Sequence, residues 1–527
     1  MRVGCRGLSI AFLSIGGGLR LLQYIANPAQ WTDELMLTES VVSRPMWQLL
    51  TTRLANGQSA PPGMLAAERL AYLGFGASDL ALRAYSFACS VIALIFFYKL
   101  AGSLLRGASQ PIAAALFATA TPLILFSNQA KQYSSDVAVA LALYWLSLRM
   151  LRNGVSWKSA CVGALVGIAA MLFSQPAVFV LAGGAVALLW NAWLHRAADA
   201  SRWRPLGALL VGWGLSALLV FAATQRLMTK AHHEFLYRYW AAGFMPTDSA
   251  RGAISWLPKA LRGLFLGSNS LMYPLPMLCA LLAGVGGLSL WQRERLRAAV
   301  VLLPFLLTLA AAILRLYPFT DRLILFLVPT ALLCVAEAIG RMAEVATARV
   351  GYLGHGAIAL TLLGIYPLLV SPPPYAGENI KPLLERLRER RAPGDAVYIY
   401  YGAAYAVRYY GSQYDLRSND YDVGACSRRA PRSYLRQLDG YRGKPRVWVV
   451  IAHSLPQYGE RENILRYLDA IGTRRDSLIV RARGIRSFNP DWADMYLYDL
   501  SDARKLTSAF ADTFELGGSP FDELYDC

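Results

Sequence analysis

The chain has 527 residues, 55% of them hydrophobic and only 16% charged, with a mean hydropathy of +0.35. Soluble domains carry about 25% charged residues, so this composition excludes an ordinary soluble enzyme and points to lipid. The net charge of +18 would suit nucleic acid, but its distribution does not: it sits in the connections between apolar stretches, as lysine and arginine do beside membranes.

Apolar segments long enough to span a bilayer recur near residues 7–26, 80–104, 111–127, 136–151, 158–173, 176–194, 205–223, 271–290, 298–314, 322–340 and 352–371. The reading is a polytopic α-helical membrane protein of about eleven helices. With the N-terminus inside, Arg2, Arg6, Arg106, Arg152, Lys158, Arg293, Arg295 and Arg297 all face the cytoplasm. The short outer turns then hold few cations, chiefly Lys131, Arg315 and Arg322. This asymmetry is the positive-inside signal, and it puts the C-terminus outside the cytoplasm. A cleaved signal peptide is the alternative for the first segment. Its length, the interrupting Arg20 and the poor cleavage site at Ala26-Asn27-Pro28 argue against it.

Two outer connections are long, 27–79 and 224–270, and long loops are often functional. The first carries Trp31-Thr32-Asp33-Glu34, an amphipathic stretch from Thr38 to Leu54, and Ala60-Pro61-Pro62-Gly63. The second carries Phe235-Leu236-Tyr237-Arg238-Tyr239-Trp240, an aromatic run suited by default to interface anchoring. His232-His233 followed by Glu234 lacks zinc-ligand spacing and reads as an exposed loop pair.

Residues 1–371 therefore form the membrane body, and 372–527 a separate outer domain opened by Pro372-Pro373-Pro374. In that domain Pro382 to Arg391 reads as an amphipathic helix. Ala396 to Tyr401, Arg446 to Ala452, Leu478 to Val480 and Met495 to Leu500 read as strands. Ile464, Leu468 and Ile471 mark one face of a further helix. Alternation of helix and strand implies a soluble α/β domain. Of seven cysteines only Cys426 and Cys527 lie there; outside the cytoplasm they are free to pair or to remain thiols.

Chemistry concentrates at the outer helix ends. A carboxylate such as Asp33 or Glu34 can take a proton from a hydroxyl or bind a cation, although an adjacent pair also simply begins many surface helices. Arg83 opens the second span, and Lys131 and Arg322 sit in outer turns. Cations there suit a lipid-linked phosphate, or snorkel to headgroups. Asp136 is a second acidic contributor or, by the preference of Asp for that position, the cap of the helix it precedes.

The ordered set Thr32-Asp33-Glu34, Ala60-Pro61-Pro62-Gly63, Leu82-Arg83-Ala84-Tyr85-Ser86, Gln129-Ala130-Lys131-Gln132-Tyr133 and Tyr317-Pro318 through Arg322 resembles the membrane glycosyltransferases of the C superfamily, of the protein-mannosyltransferase and aminoarabinose-transferase type. The resemblance covers about residues 8–340. It implies transfer of a sugar from a polyprenyl-phosphate carrier to a glycan, lipid or protein acceptor outside the cytoplasm of a bacterial inner membrane, with inversion. Asp33 matches the family's catalytic base. Glu34 would assist, or would ligate a divalent cation (magnesium or manganese) if one is used. Lys131, Arg322, Arg83, Tyr133 and Asp136 would line the lipid-phosphate site. Lys131 stands where the family often has arginine, keeping the charge but not the two-pronged fork. A lipid transporter or flippase and a non-catalytic assembly component are the alternatives. The concentration of charge at helix ends and the lack of an evident repeat disfavour the transporter.

Overall fold

A computed structural model describes residues 2–195, 203–265, 275–348, 352–427, 430–454, 456–483, 492–502 and 510–518. The chain divides into two units, one of residues 1–27 and 40–373, the other of residues 28–39 and 374–527. No local feature of residues 28–39 separates them from the membrane body. Their grouping with the C-terminal unit is a tertiary result.

The first unit is helical, and each of the eleven apolar segments contains helix. Long helices run Arg2–Ala26, Asp79–Leu104, Tyr133–Asn153, Trp157–Phe173, Ala177–Leu194, Trp203–Leu227, Pro276–Arg293, Arg295–Ile313, Val328–Ala348 and Tyr352–Val370. Among the described residues seven helices are long and apolar enough to cross a membrane, or eight if a bent pair counts as one span. The protein is thus a multi-pass membrane protein. That bent pair is Ser109–Thr119 followed by Thr121–Asn128, angled by 52°.

The bend has a covalent cause. Pro122 has no N–H, so the carbonyl of Ala118, four residues earlier, loses its helical partner. Within an apolar body an unpaired carbonyl is costly. Arg20 supplies the missing donors: its Nη1 donates to Ala118 O at 3.2 Å and to Gly16 O at 2.9 Å, and its Nη2 donates to Phe117 O at 3.3 Å. The residue that interrupts the first apolar segment is therefore a fully buried cap on another helix. Gly16 permits the approach, because a Cβ there would stand 2.8 Å from Ala118 Cα.

At the other ends of the helices, Arg293 Nη1 pairs with the buried Glu337 at 2.8 Å while Ser289 Oγ donates to the same carboxylate oxygen at 3.0 Å. This joins Pro276–Arg293 to Val328–Ala348.

The C-terminal unit holds a five-stranded sheet: β1 Ala396–Ile399, β2 Asp422–Val423, β3 Val447–Ala452, β4 Thr473–Arg481 and β5 Trp492–Asp499, in the order β2-β1-β3-β5-β4. β2, β1 and β3 are parallel, whereas β5 runs antiparallel to both β3 and β4. Alternation sorts the side chains onto two faces. Val397, Ile399, Trp448, Val450, Met495 and Leu497 share an apolar cluster with Leu383, Leu387, Val407 and Tyr410 from the helices Lys381–Arg390 and Ala404–Tyr410. Tyr398, Tyr400, Val449 and Ile451 pack with residues of Arg432–Asp439 and Glu460–Ile471. The predicted strands are present; the two-residue, exposed β2 is additional. Cys426 is disulfide-bonded, and Cys527 lies outside the described residues.

Replacing Arg20 with Met should uncap the break and cost about 2 kcal/mol, the scale of buried hydrogen bonds from a charged donor. The check is a lowered melting temperature of the detergent-solubilised chain, which Arg20→Lys should restore only in part.

Candidate functional site

In the helical unit the phosphate-site candidates converge on one short turn. After the bent pair the chain reverses through residues 129–132 before Tyr133–Asn153 begins. Lys131 is buried in that turn, and its Nζ donates to Gln58 Oε1 at 2.6 Å. Its carbonyl accepts from Ser86 Oγ at 3.0 Å. Ser86 stands one turn after Arg83, which is also buried and places Nη1 3.4 Å from Asn27 Oδ1. The Ala60-Pro61-Pro62-Gly63 motif starts the helix Pro62–Phe75, with Pro62 in its first turn. Gly63 is required by contact: a Cβ would meet Phe173 and the Leu172 carbonyl at 2.8–2.9 Å.

Arg322 follows Asp321 in a 3-10 turn that leads into Val328–Ala348. Its guanidinium lies over two rings, Tyr133 at 5.7 Å and Trp240 at 5.5 Å. Such stacking uses the delocalised charge of arginine. Trp240, expected as an interface anchor, thus brings the second long loop against Arg322, a candidate phosphate ligand. No local pattern announced this. Tyr237 likewise faces a cation, Arg315, at 4.8 Å. Asp321 has φ 46°, a conformation uncommon outside glycine, asparagine and aspartate.

Asp136 does not cap its helix. Gln132 holds the cap position, and Asp136 lies in the first turn, 5% exposed. One of its carboxylate oxygens makes no hydrogen bond, and neither does either polar atom of the buried Asn128 side chain. Buried polar atoms are normally paired, so this corner holds polar capacity that the surrounding protein does not use. Burial, with Asp136 and Tyr133 close by, keeps the Tyr317 phenol protonated well above its usual range.

His232 and His233 lie on the helix Lys230–Tyr239, not in a loop, and His232 is half-buried. Burial first, then the neighbouring His233, lowers its pKa.

The carboxylates belong to the other unit. Thr32–Ser43 is a helix, with Asp33 and Glu34 in its first turn. Exposed N–H groups there favour negative charge. Glu34 is not a solvated surface charge: it is 1% exposed and accepts the Trp31 N–H at 3.0 Å, half of a capping box. Asp33 is half-buried. Among the described residues no three His, Cys, Asp or Glu side chains gather as a metal site.

No family model matches the chain, and no curated protein matches it significantly. Solved structures do. ArnT from Cupriavidus metallidurans bound to undecaprenyl phosphate is similar at 11% identity over 95% of this chain and 99% of its own, with a TM-score of 0.47. The oligosaccharyltransferase AglB from Archaeoglobus fulgidus, in complex with an inhibitory peptide and a dolichol-phosphate, is similar at 13% identity over 88% and 72%, with a TM-score of 0.45. The Archaeoglobus fulgidus oligosaccharyltransferase in complex with Zn and sulfate is similar at 13% identity over 88% and 71%, with a TM-score of 0.47.

Trp240→Ala and Arg322→Ala should be non-additive in thermal stability, with a coupling of about 1 kcal/mol from the lost cation–π contact. A double-mutant cycle on the purified protein measures it; additivity within error would show that the stack carries no energy.

Proposed function

We propose that this protein is an inverting glycosyltransferase that moves a sugar from a polyprenyl-phosphate carrier to a hydroxyl-bearing acceptor, a glycan, lipid or protein on the outer side of a bacterial inner membrane. The observation that carries the reading is the turn around Lys131. Two buried cations, a third stacked between aromatic rings, and polar atoms without partners lie together at the ends of apolar helices. Intramembrane or interfacial charge is expensive and is usually kept for function. A phosphate on a lipid is an anion that reaches the protein from that depth.

In the reaction Asp33 accepts the proton of the acceptor hydroxyl. The oxygen then attacks the anomeric carbon, the bond from that carbon to the phosphate oxygen breaks, and polyprenyl phosphate leaves with the electron pair. A single displacement inverts the anomeric configuration. Lys131 and Arg322 offset the charge that develops on the leaving phosphate, the kind of electrostatic stabilisation worth most where water is excluded. Arg83 and Tyr133 hold the phosphate end of the carrier, and Asp136 serves as an acceptor within the site. Glu34 keeps the helix start that bears Asp33 in place.

Asp33→Asn should lower transfer by about a hundredfold or more, the range of general-base catalysis, in protein that melts at the wild-type temperature. Mass spectrometry of cell-envelope glycans with the wild type, with Asp33→Asn and without the protein should show the same missing sugar in the last two. Unchanged transfer by Asp33→Asn would sink the assignment. Lys131→Ala should weaken binding of undecaprenyl phosphate about tenfold, the loss of one charge-assisted contact.

A further inference from the structure

The parallel part of the C-terminal sheet has a topological switch point. From β1 the chain crosses to β2 by the helix Ala404–Tyr410, which packs on the face of Val397 and Ile399. From β3 it leaves by the helix Glu460–Ile471, on the face of Tyr398 and Tyr400. Connections that depart to opposite faces open a crevice at the strands' carboxyl ends, where open α/β sheets hold their ligands. Here the end of β3 is engaged by the chain's own residues 28–39.

His453, the first residue after β3, has φ 55°, a backbone state that a non-glycine side chain adopts only when its surroundings impose it. Its Nδ1 lies 2.8 Å from Glu378 Oε1. A carboxylate only accepts, so the ring donates. Glu378 is 7% exposed, and its second oxygen, Oε2, accepts from Thr32 Oγ1 at 3.3 Å. Thr32 begins the helix whose second residue is Asp33. The Trp31 ring meets the His453 ring edge-on at 6.4 Å. The preceding residues are tied to the same unit: Ala29 N donates to Asn379 Oδ1 at 3.1 Å and Gln30 N to the Tyr410 hydroxyl at 2.7 Å.

We propose that Glu378 and His453 are positioning residues for Asp33, fixing the start of its helix through Thr32 from the carboxyl end of β3. The proposal rests on the reading of Asp33 as the base. Ala29 and Gln30 through their backbone N–H groups, and Trp31 and Thr32 through their side chains, are thus each held by a residue far along the chain. Neither Glu378 nor His453 touches the reacting atoms. They act by keeping the Asp33 carboxylate in register with the acceptor hydroxyl, where a displacement of about 1 Å is enough to cost a hundredfold in rate.

The test uses the full-length protein in nanodiscs, with polyprenyl-phosphate-linked sugars extracted from native membranes as donor. Hydrogen exchange of the peptide spanning 28–39 is measured alongside turnover. His453→Gly relieves the backbone conformation while removing the ring, and Glu378→Ala removes the shared acceptor. Both should lower turnover about ten- to a hundredfold at an unchanged half-saturating amount of extract, and both should speed exchange across 28–39. His453→Asn, which tolerates the same backbone conformation and keeps a donor near the Nδ1 position, should recover turnover to within about threefold of wild type, a smaller loss than the misplacement predicts. Wild-type exchange and turnover in both His453→Gly and Glu378→Ala would overturn the proposal, as would His453→Asn failing as badly as His453→Gly. Asp33→Asn separates the two readings. Lost turnover with unchanged exchange supports the base and its positioning as distinct roles. Full activity in Asp33→Asn removes the base, while the exchange of Glu378→Ala still decides whether 28–39 is held by this pair.

Discussion

Proline at position 122 takes away one backbone donor, and in an apolar surrounding that single loss has to be answered by another part of the chain. Arg20 answers it from the first helix, donating to the carbonyls of Phe117 and Ala118. With that cap in place the chain bends by 52° with the Ala118 carbonyl paired. The bend delivers residues 126–132 as a compact turn, and the turn delivers Lys131. A charged residue inside a membrane helix is a functional candidate by default. Here its use is structural, and the functional consequence lies one element downstream.

The cations of the helical unit are managed differently from one another. Lys131, strongly hydrated in water, is buried with an amide oxygen from Gln58 as a partner. Arg322 keeps a weakly hydrated plane between Tyr133 and Trp240. Each arrangement offsets part of the cost of taking a cation out of water. A phosphate ester is a suitable counter-ion to such a set. Beside them Asn128 and Asp136 keep polar atoms unused by the described residues.

The carboxylates follow another logic. Glu34 closes the start of its own helix by accepting the Trp31 N–H, which leaves Asp33 as the half-buried member of the pair. The segment that bears them is fastened to the C-terminal unit through Glu378, Asn379 and Tyr410. That unit is therefore more than an appended domain: part of its core, including Ala29 and Leu35, is contributed by the first loop.

The apolar segments, the α/β character of the tail and the residues of the ordered motifs were all readable along the chain, because hydrophobic length and period are local properties. The order of the motifs, through the family they resemble, made Asp33, Lys131, Arg83 and Arg322 the expected site residues. What could not be read were relations between distant residues. Arg20 looked like an interruption until the helix it caps was present, and no local signal paired Trp240 with Arg322. Asp136 looked like a cap because its residue type suits that role, yet the helix starts three residues earlier. Glu378 and His453 carried no local signal at all. The grouping of residues 28–39 with the C-terminal unit was decided by tertiary structure alone, since hydrogen bonds such as that from Thr32 to Glu378 exist only when folding brings together groups that the sequence holds far apart.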